Sequence, residues 1–280
     1  MKIKFFRLNI RRPLGLFVLI SLLFLSGCAK QQAGTLSVVF MSTGNSDSIF
    51  VNFPDNGKMI IDTGDPDDKE KIYTTLRKYG THKIDYAIIT HQHADHIGSF
   101  ADIVRTYDID KVYMPKSGID GPLVENAVME LNKKGKKVTQ IKRNLVISND
   151  QVYAEFLSPL DEKYADENDY SGVLYLKYKD TDFLFTGDAG KAAEKELLET
   201  SLPDIDVLKV GHHGSKTSTM PEFLNVLKPE YAVITTGKNS YGHPSKETMT
   251  RLQERNIATY RTDQSGDITM VSDGETITIK

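Results

Sequence analysis

Thr90-His91-Gln92-His93-Ala94-Asp95-His96 places three imidazoles and a carboxylate within six residues, directly after the apolar run Ile84–Ile89 and before a helical pattern opening near Ile97. Ligands at the carboxyl end of a strand are held by a rigid element and face a crevice. Borderline nitrogen donors combined with hard oxygen donors suit Zn²⁺, Mn²⁺ or Fe, whereas a solvated polar loop has no need of this composition. The chain has one cysteine, Cys28, so the donors of any metal centre must be His, Asp or Glu.

Three further short motifs carry candidate chemistry, the first two of them at strand ends. Phe183-Leu184-Phe185-Thr186-Gly187-Asp188 is an apolar strand running into Gly-Asp, which taken alone reads as a turn. Val210-Gly211-His212-His213-Gly214-Ser215 again stands at a strand end, where adjacent side chains diverge, so that only one histidine is expected to be a direct ligand. Tyr241-Gly242-His243-Pro244 sets a histidine in a Gly/Pro turn, able to donate a proton or merely to shape a loop. Six of the seven histidines belong to these motifs.

Outward from the motifs, strand patterns recur at Leu36–Met41, Ile49–Phe53, Lys58–Ile61, Ile84–Thr90 and Lys111–Met114. After a break near Asn144 to Asp150 they resume at Val152–Leu157, Val173–Tyr178, Phe183–Thr186, Val207–Val210, Tyr231–Thr235 and Ile268–Val271. Helical faces lie between some of them. Asp67 with Glu70 reads as a cap before Ile72, Leu76 and Tyr79, and Gly80 stops that helix. Ile97, Phe100, Val104 and Tyr107 form a second face, and Leu123, Val128 and Leu131, ending at Gly135, a third. The class is α/β, with two mixed sheets expected to pack together under outer helices.

The N-terminus is of another kind. Lys2, Lys4, Arg7, Arg11 and Arg12 precede the apolar run Leu14 to Leu25, then Ser26, Gly27 and Cys28. This is the progression of a signal peptide over residues 1–27, and its apolar run is shorter than the ~20 residues of a spanning helix. Leu25-Ser26-Gly27-Cys28 resembles a bacterial lipobox, so Cys28 is expected to carry lipid, residues 28–34 to act as a tether, and residues 35–280 to form the domain on the extracytoplasmic face of the membrane. Removing the signal lowers Lys plus Arg from 35 to 30 against 38 acidic residues, which leaves −8. Such a domain has no general attraction for nucleic acid, and an anionic substrate must be held locally.

His91-Gln92-His93-Ala94-Asp95-His96 reproduces the His-x-His-x-Asp-His signature of the metallo-β-lactamase superfamily, with Gly187-Asp188 and His212-His213 following in that family's order. Asp47-Ser48, Ile61-Asp62-Thr63-Gly64, Leu208 to Ser215 and Tyr241 to Pro244 further resemble the hydrolase domain of bacterial competence DNA-uptake proteins, from about Leu36 to the C-terminus. The resemblance implies an αββα sandwich with two divalent metal ions, Zn or Mn, at one edge. It implies His91 and His93 on the first metal, Asp95 and His96 on the second, and Asp188 bridging. One of His212 and His213, with His213 preferred, completes the second site, and Asp62 orients the histidine loop. Many members carry another histidine shortly before the Gly-Asp strand; here that stretch reads Glu167-Asn168-Asp169-Tyr170-Ser171, leaving the first metal to Asn168, Asp169 or water.

Two such cations acidify a shared water for attack on phosphorus or carbon. Asp95, Asp188 and His243 are then the candidate catalytic residues, His243 as proton donor to the leaving oxygen, and Ser215 and Lys216 the candidate holders of a phosphate oxygen. The expected substrate is a phosphodiester, either DNA or a cell-surface phosphodiester polymer. The alternatives are hydrolysis of a carbon ester, thioester or lactam, and a non-catalytic metal-binding surface lipoprotein.

Overall fold

A computed structural model describes residues 34–116, 120–160 and 163–280. The signal segment, Cys28 and all of the tether but Gly34 lie outside the described residues.

The chain builds the same arrangement twice. In the first half, β1 (Leu36–Phe40), β2 (Ile49–Asn52) and β3 (Lys58–Ile61) form an antiparallel meander. Strands β4 (Lys83–Ile88), β5 (Asp108–Pro115) and β6 (Val138–Ile141) then join in parallel beyond β3. Their crossovers carry α1 (Lys69–Lys78), α2 (Ala94–Ile97), α3 (Phe100–Thr106) and α4 (Pro122–Lys133). In the second half β7 (Leu145–Val146), β8 (Tyr153–Phe156), β9 (Leu174–Tyr178) and β10 (Thr181–Phe185) meander. Strands β11 (Val207–Lys209), β12 (Tyr231–Ile234) and β13 (Ala258–Arg261) then run parallel to β10, with α5 (Lys191–Leu198), α6 (Pro221–Leu227) and α7 (Lys246–Glu254) in the crossovers. After a short α8 (Thr262–Ser265), β14 (Ile268–Ser272) and β15 (Ile277–Ile279) return to the first sheet, β14 lying antiparallel to β1.

Alternation along the strands explains the layering. Leu36, Val38 and Phe40 of β1 point into an inter-sheet core shared with Phe156, Phe183 and Phe185, while Val39 and Met41 point the other way onto Ile72, Leu76 and Phe100. In β10, Leu184 points away from the other sheet, onto Ala193, Leu197 and Phe223. Strands covered on both faces read as continuous apolar runs. Three clusters therefore separate four layers, which makes the fold an αββα sandwich.

Several local expectations change. Val128 is exposed and Ala127 and Leu131 face inward, so α4 presents a different stripe. The residue preceding α1 is Asp68, whose carboxylate accepts from the Asp65 amide and the Ser46 hydroxyl; Asp67 plays no capping part. The second helical face is split between α2 and α3 at Gly98, where a Cβ would lie 2.4 Å from the Asp65 carbonyl carbon. Strands β6, β7, β13 and β15 carry too many exposed or half-exposed positions to show the buried-strand pattern, and all four end a sheet.

Candidate metal centre

The parallel crossovers bring four carboxyl ends to one edge of the sandwich. Strand β4 delivers the histidine loop, where His93 stands at the N-cap of α2 and Asp95 and His96 lie in its single turn. His91 Nε2 and His93 Nδ1 come within 2.9 Å of each other, and the His91 and His96 rings are 4.0 Å apart. Asp62, just beyond β3, fixes this loop from below. Its Oδ1 accepts the Thr90 amide at 2.7 Å, and its Oδ2 accepts the Thr90 hydroxyl at 2.7 Å and stands 2.8 Å from His96 Nδ1. That contact puts the ring proton on Nδ1 and leaves His96 Nε2 as a bare donor, the usual role of a carboxylate behind a metal-binding histidine.

The second half supplies the rest. Gly187, after β10, has φ +50°, and a Cβ there would sit 2.8 Å from the Thr90 side chain, so glycine allows the Asp188 turn to press against the histidine loop. After β11, His212 and His213 both adopt left-handed backbone, with φ of 48° and 50°, and their rings diverge. Such conformations are sparse for residues with a side chain and persist where the surroundings enforce them. His213 is buried, with Nδ1 2.9 Å from the Thr235 carbonyl oxygen; His212 is half-buried on the cavity side, its Nε2 3.6 Å from Asp188 Oδ2.

One donor atom each from Asp95, His96, Asp188 and His213 falls within a 4.8 Å span. Asp188 Oδ1 is 3.4 Å from His96 Nε2, and Asp95 Oδ2 is 3.4 Å from His213 Nε2. His96 Nε2, Asp188 Oδ1 and His213 Nε2 are all buried without a hydrogen-bond partner. Orphaned donor atoms that converge from two sheets are costly unless a cation joins them. The donor set therefore fits a divalent metal, and His91 with His93 beside it suits a dinuclear site.

Electrostatics points the same way. With only protein charges present, burial disfavours charge on both His96 and Asp188. Their mutual attraction, with that of Asp62 for His96, holds His96 well above and Asp188 well below their ordinary values. Burial also opposes ionisation of Asp95, but His213 and His96 keep that carboxyl below the usual range. His91, buried beside His96, is held well below its ordinary value, as a neutral ligand needs. Metal uptake would displace protons from this cluster.

Two contributors carried no role in the sequence reading. Buried Lys209 places Nζ 2.6 Å from Asp47 Oδ2, while Asp47 Oδ1 accepts the Thr235 hydroxyl and lies 3.5 Å from His213 Nδ1. The signal was a lysine inside the apolar run Val207–Val210: an alternation break that only a buried partner makes tolerable.

The cluster floors a cavity of about 310 Å³ lined by Asn45, His93, Ala94, Asn168, His212, Tyr241 and His243 together with Asp95, Asp188 and His213. His243 Nδ1 is buried and unpartnered, and its ring lies 5.4 Å from that of His212. Burial, then the neighbouring imidazoles, lower its pKa. Tyr241, 76% exposed, lays its ring 28° from the plane of His243 at 5.7 Å. Ser215 and Lys216 are not in this lining; the Ser215 hydroxyl bonds Thr217, and the Lys216 carbonyl accepts from Arg251.

Residues 41–238 match the Metallo-beta-lactamase superfamily. The chain is 32% identical over 267 residues to ComE operon protein 3 of Bacillus subtilis, covering 88% of this chain and 34% of that protein. It is 30% identical over 215 residues to competence protein ComA of Neisseria gonorrhoeae, covering 75% and 29%. The chain thus spans about a third of the length of these relatives. Among solved structures, CmlA, a diiron beta-hydroxylase from Streptomyces venezuelae, superposes with TM-score 0.58 at 14% identity over 83% of this chain and 53% of that one. The metallo-beta-lactamase fold protein YhfI from Bacillus subtilis gives 0.57 at 10% over 85% and 99%. At those identities the likeness is one of fold. Motif order, donor geometry and matched span agree: the chain belongs to the metallo-β-lactamase superfamily of metal-dependent hydrolases, with competence-associated relatives.

Proposed function

We propose that this chain is a phosphodiesterase that cleaves nucleic acid at the extracytoplasmic face of a bacterial membrane, tethered through lipid on Cys28. The observation that carries the reading is the cavity lining. Imidazole and amide groups surround the carboxylate cluster, and an exposed aromatic ring stands at its side. Such a pocket suits an anion with an attached planar group better than an apolar acyl substrate, and a tyrosine face stacks any base without regard to sequence.

Charge balance supports it. With the imidazoles deprotonated as metal ligands, Asp47, Asp62, Asp95 and Asp188 against Lys209 leave three negative charges, which two divalent cations would turn into one positive. One phosphodiester anion balances that charge. The reacting group of a lactam or thioester is neutral. One of the relatives is named a competence protein, and the motif resemblance to DNA-uptake proteins points to nucleic acid. Bound metal would also offset the acidic surface where the substrate sits.

Divalent cations, held as Zn²⁺ or Mn²⁺ by His91, His93, Asp95, His96, Asp188 and His213, would acidify water and neutralise charge developing at phosphorus. The chain's own groups do the remaining work. Asp62, together with the Lys209–Asp47 pair, fixes the imidazoles. Asn45 and His212 line the path of the phosphate oxygens, and exposed Lys216, outside the cavity lining, is placed to meet a longer substrate, whereas buried Ser215 is held by Thr217. His243, drawing a proton when an anion enters beside it, returns that proton to the leaving oxygen.

The metal-reconstituted domain is expected to cleave DNA and bis-p-nitrophenyl phosphate and to leave a chromogenic lactam intact. Faster turnover of the lactam would overturn the reading. Cleavage of p-nitrophenyl phosphocholine in preference to DNA would move the substrate to a surface polymer. Labelling of the full chain in cells with a fatty-acid probe is expected to vanish in Cys28→Ser, and label that persists would refute the anchor.

A further inference from the structure

The two metal positions have unequal donor sets. The second has Asp95, His96, Asp188 and His213, two of them carboxylates. The first has His91 and His93, shares Asp188, and lacks the extra histidine common in the superfamily. The residues standing in that stretch differ sharply in what they have left to offer. Asp169 Oδ1 is committed to the amides of Gly190 at 2.9 Å and Ala193 at 3.2 Å, at the start of α5. Ser171 Oγ accepts the Asp188 amide at 3.1 Å. Asn168 is different: its Oδ1 is buried with no hydrogen-bond partner, and the residue lines the cavity beside His93 and Asp188.

The turn holds Asn168 there. Asp166 caps Glu167–Tyr170 by accepting the Asn168 amide at 3.0 Å, and the Ser171 amide returns to the Asn168 carbonyl at 3.0 Å. The backbone groups are satisfied and the side-chain oxygen is not. A buried amide oxygen left bare forfeits its solvation, which a cation in the cavity would restore.

We infer that Asn168 gives its amide oxygen as the third residue-specific donor of the first metal position, so that the two positions fill in order rather than together. The inference rests on the metal-centre reading of the site. A neutral carbonyl oxygen is a harder and weaker donor than the imidazole it replaces. The carboxylate-rich second position therefore loads at low metal concentration, and the first only as the supply rises. Two-metal protein, the form needed for hydrolysis, then tracks the surrounding concentration of divalent metal.

The test is titration of chelator-stripped protein with Mn²⁺, followed by calorimetry and by the exchange coupling of paired Mn²⁺ in electron paramagnetic resonance. Wild type is expected to bind in two separated steps, with coupling only in the second. Asn168→Ala should weaken the second step at least about tenfold, and Asn168→His should tighten it by a similar factor. The first step, unmoved in both variants, reports that the fold and the tighter position are intact. A second step unchanged in both variants, or an Asn168→Ala effect confined to the first, overturns the inference while leaving the metal centre in place. If wild type binds no Mn²⁺, or His213→Ala leaves both steps unchanged, the metal-centre reading itself fails and takes this one with it.

Discussion

Asp188 is the residue at which the two halves of the chain meet chemically, with carboxylate oxygens 3.4 Å from His96 of the first half and 3.6 Å from His212 of the second. Its replacement by Asn should remove turnover by weakening both metal positions at once. His243 makes the opposite case, because it lines the cavity but its ring stands outside the four-donor cluster. His243→Ala is therefore expected to keep wild-type metal content by elemental analysis. It should slow substrates with poor leaving groups by ~10²–10⁴, the range of a general acid. Bis-p-nitrophenyl phosphate, whose leaving group departs without protonation, should be slowed far less. Equal slowing of both substrate classes, or loss of metal, would assign His243 another role. The pH profile has a direction too: burial and the neighbouring imidazoles keep His243 neutral until an anion enters, so bound substrate should shift its apparent pKa upward.

At the scale of elements, the loop between β11 and α6 must hold two left-handed histidines, and the fold secures it from behind. Glu194 of α5 is buried. Its carboxylate takes the Thr219 amide on Oε1 and the Met220 amide at 2.8 Å on Oε2, at the entrance to α6, while Arg251 of α7 donates to the Ser218 carbonyl at 2.9 Å. Burial pushes the Glu194 carboxyl up to about 8; the two amides and Arg251 oppose that rise, and Asp169 adds to it. A folded-state pKa above the unfolded value means that the native state holds the proton longer. This group's stabilisation is thus full below about pH 4.5 and is lost as pH climbs toward 8. Glu194→Gln has no charge to desolvate. The melting-temperature difference between wild type and this variant should therefore move in the variant's favour between pH 5 and 8.5; a constant difference would show that Glu194 does not titrate there. None of this was legible in the sequence, where Glu194 reads as one more polar residue of Lys-Ala-Ala-Glu-Lys-Glu. The strands flanking the site were legible for the converse reason: β1, β4, β10 and β11 are covered on both faces and read as apolar runs, whereas β6 and β13 end or edge the sheets and do not.

At the scale of the whole molecule, the reading of two sequential sheets was right in kind but incomplete, because β14 and β15 leave the second half and pair beside β1. No local signal encodes that return; Ile268 and Met270 are apolar whichever sheet they join, and only the inter-sheet core they fill decides it. The metal donors obey the same long-range logic. His91, His93, Asp95 and His96 descend from the first sheet, and Asp188 and His213 from the second, so a cation held by both fastens the halves across their shared edge. Binding to the native chain alone stabilises it by about 2.7 kcal/mol when free metal is 100 times Kd. For a domain of this length that corresponds to a rise in Tm of roughly 5–11 °C. Thermal unfolding of the chelator-stripped domain should show this rise on addition of Zn²⁺ or Mn²⁺ and lose it on addition of EDTA. His91→Ala with His93→Ala should retain part of the rise, since the second position keeps its donors from both halves, and Asp188→Asn should abolish most of it. A full rise in Asp188→Asn, or none in wild type, would mean that the metal does not join the halves and that packing between the sheets alone holds this edge closed.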